Sequence, residues 1–221
     1  MRSFIVVISI LAILAVRAQT VTGPARWEST IRNFEQQDIK HPPAKGSNLF
    51  VGSSSIAIWH DINESFPGFG VLNRGFGGSD FLDLLYYVDR IVIPYAPSKL
   101  FVYEGDNDLA TGTEPDVVLQ RAIEFRNVIA KKLPSTEVVF IAAKPSPSRW
   151  ALKAKYEKFN EELKKYSAKT TLTEFADVWS PMLDKRGVVL KHIFGEDSLH
   201  MNKEGYVIWE SALRPYLKAM K

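Results

Sequence analysis

Three short polar segments of the chain carry residue types that could do acyl-transfer chemistry. They are Gly52-Ser53-Ser54-Ser55, Asn73-Arg74-Gly75-Phe76-Gly77-Gly78-Ser79 and Gly105-Asp106-Asn107-Asp108. A serine hydroxyl is a weak nucleophile until a general base takes its proton. Four histidines could supply that base. His41 stands before two prolines and reads as an exposed loop residue, and His60 and His192 have no acid three residues before them. His200 has Asp197, and an acid and a histidine three apart on one turn can face each other, so that the carboxylate orients the imidazole and stabilises its cation. Spacing alone leaves Ser53, Ser54 and Ser55 open as nucleophiles, and equally open as caps of a following helix. Gly78 and Asn107 can be read as turn residues. Glu104, Asp106 and Asp108 lie close together without a histidine, and such acids after a strand are common turn formers, so no metal and no cofactor is expected. The chain has no cysteine, which excludes thiolate nucleophiles, cysteine-ligated zinc, iron–sulfur clusters and disulfides.

These segments need a scaffold that brings them together, and the apolar pattern supplies one. Leu49-Phe50-Val51, Val71-Leu72-Asn73, Leu100 to Tyr103 and Val138 to Ala142 read as strands, with a weaker fifth near Thr171 to Phe175. Near-continuous apolar runs fit parallel strands covered on both faces. Between the third and fourth runs, Val118, Ala122, Phe125, Ile129 and Leu133 recur at helical spacing, as do Tyr206, Trp209, Leu213, Tyr216 and Met220 at the end of the chain. Arg26 to Ile39 and Ala151 to Ala168 read as polar helices, and Arg90 to Ile93 as the end of a helix begun near Ser79. Strands alternating with helices imply right-handed βαβ units in a doubly wound parallel sheet. Sites in such sheets form at the carboxyl ends of the strands, which is where the polar segments fall.

Taken in order, the segments resemble the motif blocks of the SGNH (GDSL-type) hydrolase superfamily, and within it the branch of the platelet-activating factor acetylhydrolase α-subunits. The likeness runs from Leu49 to the terminal helix. It implies a three-layer α/β/α sandwich on a parallel sheet of about five strands. It also implies a serine ester hydrolase with Ser54 as nucleophile, His200 as base with Asp197 beside it, and an oxyanion hole made by the backbone N–H of Ser54, the N–H of Gly78 and the side-chain amide of Asn107. One position departs from the pattern: the family's Gly-Asp-Ser is here Gly52-Ser53-Ser54. That aspartate is not the acid of the triad, so its loss leaves the implied chemistry in place.

Composition narrows the remaining choices. The chain has 221 residues, 46% hydrophobic and 24% charged, enough for one domain with a real core. Residues 1–18 read as a secretory signal peptide: Arg2 leads an apolar run from Phe4 to Val16, and Val16-Arg17-Ala18 offers a cleavage site. The run is short of the ~20 residues of a membrane-spanning helix. Residues 19–221 are then a single domain, secreted or periplasmic, with no stable membrane insertion after processing. Removing Arg2 and Arg17 leaves 26 basic against 25 acidic residues, a balance of +1. A charge this small argues against nucleic acid as a partner. Short-chain or acetyl esters, including acylated sugars, are the favoured substrates, because the mature chain lacks a long apolar segment that could serve as a lipase lid. A lysophospholipase or thioesterase, an acyltransferase, and a non-catalytic glycan- or acyl-binding protein on the same fold are the alternatives.

Overall fold

The computed structural model describes residues 22–219. The expected signal peptide and Met220 lie outside them. Five strands, β1 (Asn48–Gly52), β2 (Val71–Gly75), β3 (Lys99–Tyr103), β4 (Glu137–Ile141) and β5 (Thr173–Ala176), form one sheet in the order β2-β1-β3-β4-β5. Every neighbouring pair is parallel. The five apolar runs of the sequence are these five strands, with ends shifted by one or two residues.

Among the described residues, eight α-helices connect and flank the strands: α1 (Glu28–Lys40), α2 (Ser54–Ala57), α3 (Ile62–Ser65), α4 (Phe81–Ile91), α5 (Asp106–Ala110), α6 (Pro115–Lys132), α7 (Lys153–Lys169) and α8 (Lys203–Leu213). The chain leaves β1 toward β2 and then returns past β1 to β3, and right-handed crossovers place the helices of those two directions on opposite faces. On one face α4 packs on α6 and α6 on α7, with α1 outside α4. On the other, Trp59 and Phe66 near α2 and α3 pack on Phe50 of β1, and Trp209 of α8 packs on Trp59 and Tyr103. The result is a three-layer α/β/α sandwich. Its core is the fully buried middle of β1, β3 and β4, with Phe50 and Phe101 stacked 4.2 Å apart across the strands.

Two expectations need adjustment. The terminal helix stops at Leu213 and tightens into a 3-10 turn over Arg214–Tyr216, where Pro215 has no N–H to continue the α ladder. Asp106 to Asp108, read as a turn, instead opens the short helix α5. The reversal of direction between β1 and β3 creates the crevice at which open α/β sheets hold their sites. Gly52 makes the exit from β1 possible: its φ is +128°, and a Cβ there would lie 2.0 Å from the carbonyl oxygen of Tyr103. Only glycine lets the chain turn so close to β3.

Candidate active site

Ser54 is the first residue of α2, directly beyond the carboxyl end of β1. The turn containing Asp197 and His200 arrives from the far end of the chain, 146 residues on, and meets it. That turn is held by its own backbone. Gly195 N–H donates to the carbonyl of His200 at 2.8 Å, and Asp197 Oδ1 accepts from the N–H groups of Leu199 and His200, both at 2.9 Å. Ser198 adopts a left-handed φ of +56° between them. Asn202 then caps α8 by accepting from Glu204 and Gly205 N–H.

The side chains form a continuous relay. His200 Nδ1 donates to Asp197 Oδ2 at 2.5 Å, and His200 Nε2 lies 2.9 Å from Ser54 Oγ. With the proton on Nδ1, Nε2 is the acceptor for the serine hydroxyl. The hydrogen bonds from the Leu199 and His200 N–H groups, and then from the imidazole, hold the Asp197 carboxyl down to about 2. Its charge therefore persists at any ordinary working pH. Of the three adjacent serines, Ser54 alone touches an imidazole. Ser55 is buried at the start of α2.

Gly78 and Asn107 approach from the ends of β2 and β3. Asn107 Nδ2 donates to Ser53 Oγ at 2.7 Å and to the carbonyl of Ser79 at 2.8 Å, and Gly78 N–H donates to Ser53 Oγ at 3.2 Å. Ser53 stands at the N-cap position of α2, yet its hydroxyl caps nothing there. It faces the two donors next to the Ser54 hydroxyl instead. Gly78 has a φ of +85°, and a Cβ on it would meet the Trp27 ring at 3.3 Å. The glycine thus answers to a backbone conformation and an indole.

Sequence reasoning left Ser53 among three candidate nucleophiles and did not single out Trp27 or Arg149, and all three border this site. Arg149 Nη2 donates to Asn107 Oδ1 at 2.9 Å. Its segment, 144–149, is the loop that follows β4 at the carboxyl end of the sheet. Trp59 and Tyr87 belong to the core, Tyr86 is exposed on α4, and Trp150 stacks on Trp179 at 6.2 Å. A cleft of about 660 Å³ beside α7, bordered by Glu157, Trp179 and Asp184, holds none of the relay residues. Asp106 and Asp108 are engaged by Arg149 and Arg121. Among the described residues, no group of three or more histidine, aspartate or glutamate side chains is placed to hold a metal ion.

A serine, an imidazole and a carboxylate hydrogen-bonded in series at the switch point of a parallel sheet are the arrangement that serine acyl transfer requires. Residues 51–208 match the family model of the GDSL-like lipase/acylhydrolases, and the chain belongs to that family. No curated protein sequence matches it. Solved structures similar to it include a protein provisionally described as a platelet activating factor from Streptococcus pneumonia. That match has 21% identity and a TM-score of 0.77 and covers 88% of this chain and 94% of that one. A GDSL-like lipase from Bacteroides thetaiotaomicron is similar at 19% identity and a TM-score of 0.73, covering 85% and 97%. A catalytic mutant of an acetylxylan esterase from Geobacillus stearothermophilus is similar at 15% identity and a TM-score of 0.61, covering 81% and 98%. Identities this low establish a shared fold, while the family itself is one of ester hydrolases.

Proposed function

We propose that this chain is a serine carboxylic ester hydrolase working through an acyl-serine intermediate. The observation that carries the reading is the 2.9 Å approach of His200 Nε2 to Ser54 Oγ, with Nδ1 already committed to Asp197. Ser54 Oγ attacks the ester carbonyl carbon while its proton passes to Nε2. The tetrahedral oxyanion draws on the Ser54 and Gly78 N–H groups and the Asn107 amide, its oxygen taking the place that Ser53 Oγ now holds at the Gly78 and Asn107 donors. Collapse breaks the bond to the alcohol oxygen, which leaves with the proton from Nε2. Water then repeats the sequence on the acyl-serine and releases the acid.

Short acyl groups on a polar alcohol are the favoured substrates. The His200 and Asp197 side chains are 34% and 51% exposed, so the relay lies open to solvent and suits an ester presented from water. Export is proposed on residues 1–18 alone, and N-terminal sequencing of the protein recovered from culture medium tests it.

The decisive experiment combines a panel of p-nitrophenyl esters of increasing acyl length with fluorophosphonate labelling. Ser54→Ala should abolish both turnover and labelling, and Ser53→Ala should retain both. An active Ser54→Ala enzyme overturns the mechanism. A rate that climbs steadily toward long acyl chains overturns the substrate preference.

A further inference from the structure

Asn107 can serve an oxyanion only if its amide presents Nδ2, and not Oδ1, toward the reacting centre. Two contacts decide which way it faces. The carbonyl oxygen of Ser79 requires a donor and takes Nδ2 at 2.8 Å, and the guanidinium of Arg149 requires an acceptor and takes Oδ1 at 2.9 Å. A flipped amide would set two oxygens together at one end and two donors at the other.

Arg149 is itself fixed. Its Nη1 donates to Asp106 Oδ1 at 2.6 Å and to the Asp106 carbonyl at 3.1 Å. The same carboxylate accepts from Tyr103 at 2.8 Å and from Tyr156 at 2.5 Å, and Lys144 lies 3.5 Å away. The Asp106 side chain is only 7% exposed and that of Arg149 19%. Burial alone would raise the Asp106 carboxyl, but the Lys144 and Arg149 charges outweigh it and hold it down to about 2. Both members of the pair therefore stay charged. The segment carrying Arg149 is also tied to the other half of the site, because Ser148 N–H donates to the carbonyl of Ser198 at 3.0 Å.

We propose that Arg149 is a positioning residue for ester hydrolysis: anchored on buried Asp106, it holds Asn107 Oδ1 so that Nδ2 is aimed and polarised toward the oxyanion. The guanidinium draws electron density from the amide oxygen and makes the opposite N–H a stronger donor, as charge-assisted hydrogen bonds do. Arg149 touches no reacting atom in this scheme. The inference rests on the ester hydrolase reading above.

The test is a double-mutant cycle on kcat and KM with p-nitrophenyl acetate. Arg149→Met should lower kcat about 10–100-fold, less than or comparable to the ~100–1000-fold loss of an oxyanion donor, with KM within about twofold. Arg149→Lys keeps a cation for Asp106 but not the planar fork that bridges Asp106 and Asn107, so it should also lose at least about tenfold in kcat by the same reasoning. In an Asn107→Ala background, either substitution should change kcat by less than about threefold, since the group it positions is gone. If Arg149→Met fails to fold, as thermal denaturation would reveal, Arg149→Lys carries the test. Equal losses with and without Asn107, or a raised KM at unchanged kcat, overturn the proposal. Ser54→Ala keeps the two levels apart. If it is inactive while the cycle is additive, only the role of Arg149 falls. If it is active, the ester hydrolase reading falls first.

Discussion

In the proposed mechanism Asn107 and Asp197 act by different physics, and kinetics can separate them. The Asn107 amide acts on charge that exists only in the transition state. Asn107→Ala should therefore lower kcat ~100-fold or more and leave KM within a few-fold. A kcat near that of the unsubstituted enzyme would reduce Asn107 to a helix-opening residue. Asp197 acts on the imidazole. Its carboxyl is held at about 2, below its value in the unfolded chain, so the stabilisation it gives is present above the unfolded value and is lost only as pH falls through about 2. Asp197 should thus contribute nothing to the acid limb of the rate profile above about pH 3. An inflection of the log-rate profile in the ordinary carboxylate range that disappears in Asp197→Asn would show Asp197 titrating there instead. Ser54, Gly78, Asn107, Asp197 and His200 were legible in the sequence because their blocks resemble the family's motifs in order; spacing alone singled out only Asp197 with His200. The contacts of Ser53 and Arg149 with Asn107 were not, because no motif joins positions 54 and 42 residues apart. Only the fold brings such pairs together.

The carboxyl end of β3 carries an element-scale cost. Glu104 follows directly on the strand, is buried, and pairs through Oε1 with the Ser79 hydroxyl at 2.6 Å, while Oε2 has no partner. Burial pushes its carboxyl well above the usual carboxylate range, against the hydrogen bond from Ser79. The folded chain therefore retains a proton that the unfolded chain releases, and stability falls as pH rises from the unfolded value toward the folded one. Glu104→Gln keeps an acceptor for Ser79 and removes the titration. It should melt higher than the unsubstituted protein at pH 8, with the gap closing toward pH 4. A gap that does not vary with pH would mean that Glu104 is ionised in the fold. Elements of this length divide sharply in legibility. The five strands are continuous apolar runs, and α6 spans five turns of one apolar face, so both announce themselves. Helices α2, α3 and α5 have four or five residues, too few for a period, and exist because the loops beyond β1 and β3 are packed down onto the sheet.

At the scale of the whole molecule, the segment from Pro24 to Lys40 wraps the outside of α4 and reaches the site. Arg26 and the Trp27 indole both bond to the buried carboxylate of Asp83, Arg90 bridges Glu28 and Glu35, and Asp38 bonds to Arg74 and Tyr95. Sequence periodicity showed only a polar helix here, since each of these cross-links joins residues 36 to 62 positions apart. The deepest is that of Arg74, which is 6% exposed and has its guanidinium 5.1 Å from the centres of both the Phe34 and Tyr95 rings. Its other acceptors are the Tyr95 hydroxyl and the Asn73 carbonyl, so Asp38 is its counter-charge in this network. Removing one partner of a buried ion pair strands the other, at ~3–5 kcal/mol when burial is complete. The Asp38 side chain is still 21% exposed, and water can partly replace it. Asp38→Ala should then cost about 2–4 kcal/mol, discounted from that range, which for a chain of this size lowers Tm by ~5–15 °C. The double variant Asp38→Ala/Arg74→Met removes the stranded charge along with its partner, and should recover a substantial part of the loss. Thermal melts of three variants, the two single substitutions Asp38→Ala and Arg74→Met and the double, decide between pairing and packing. If the double variant is as unstable as the two single losses summed, the N-terminal segment is held by shape and area, and the ion pair beneath it contributes nothing of its own.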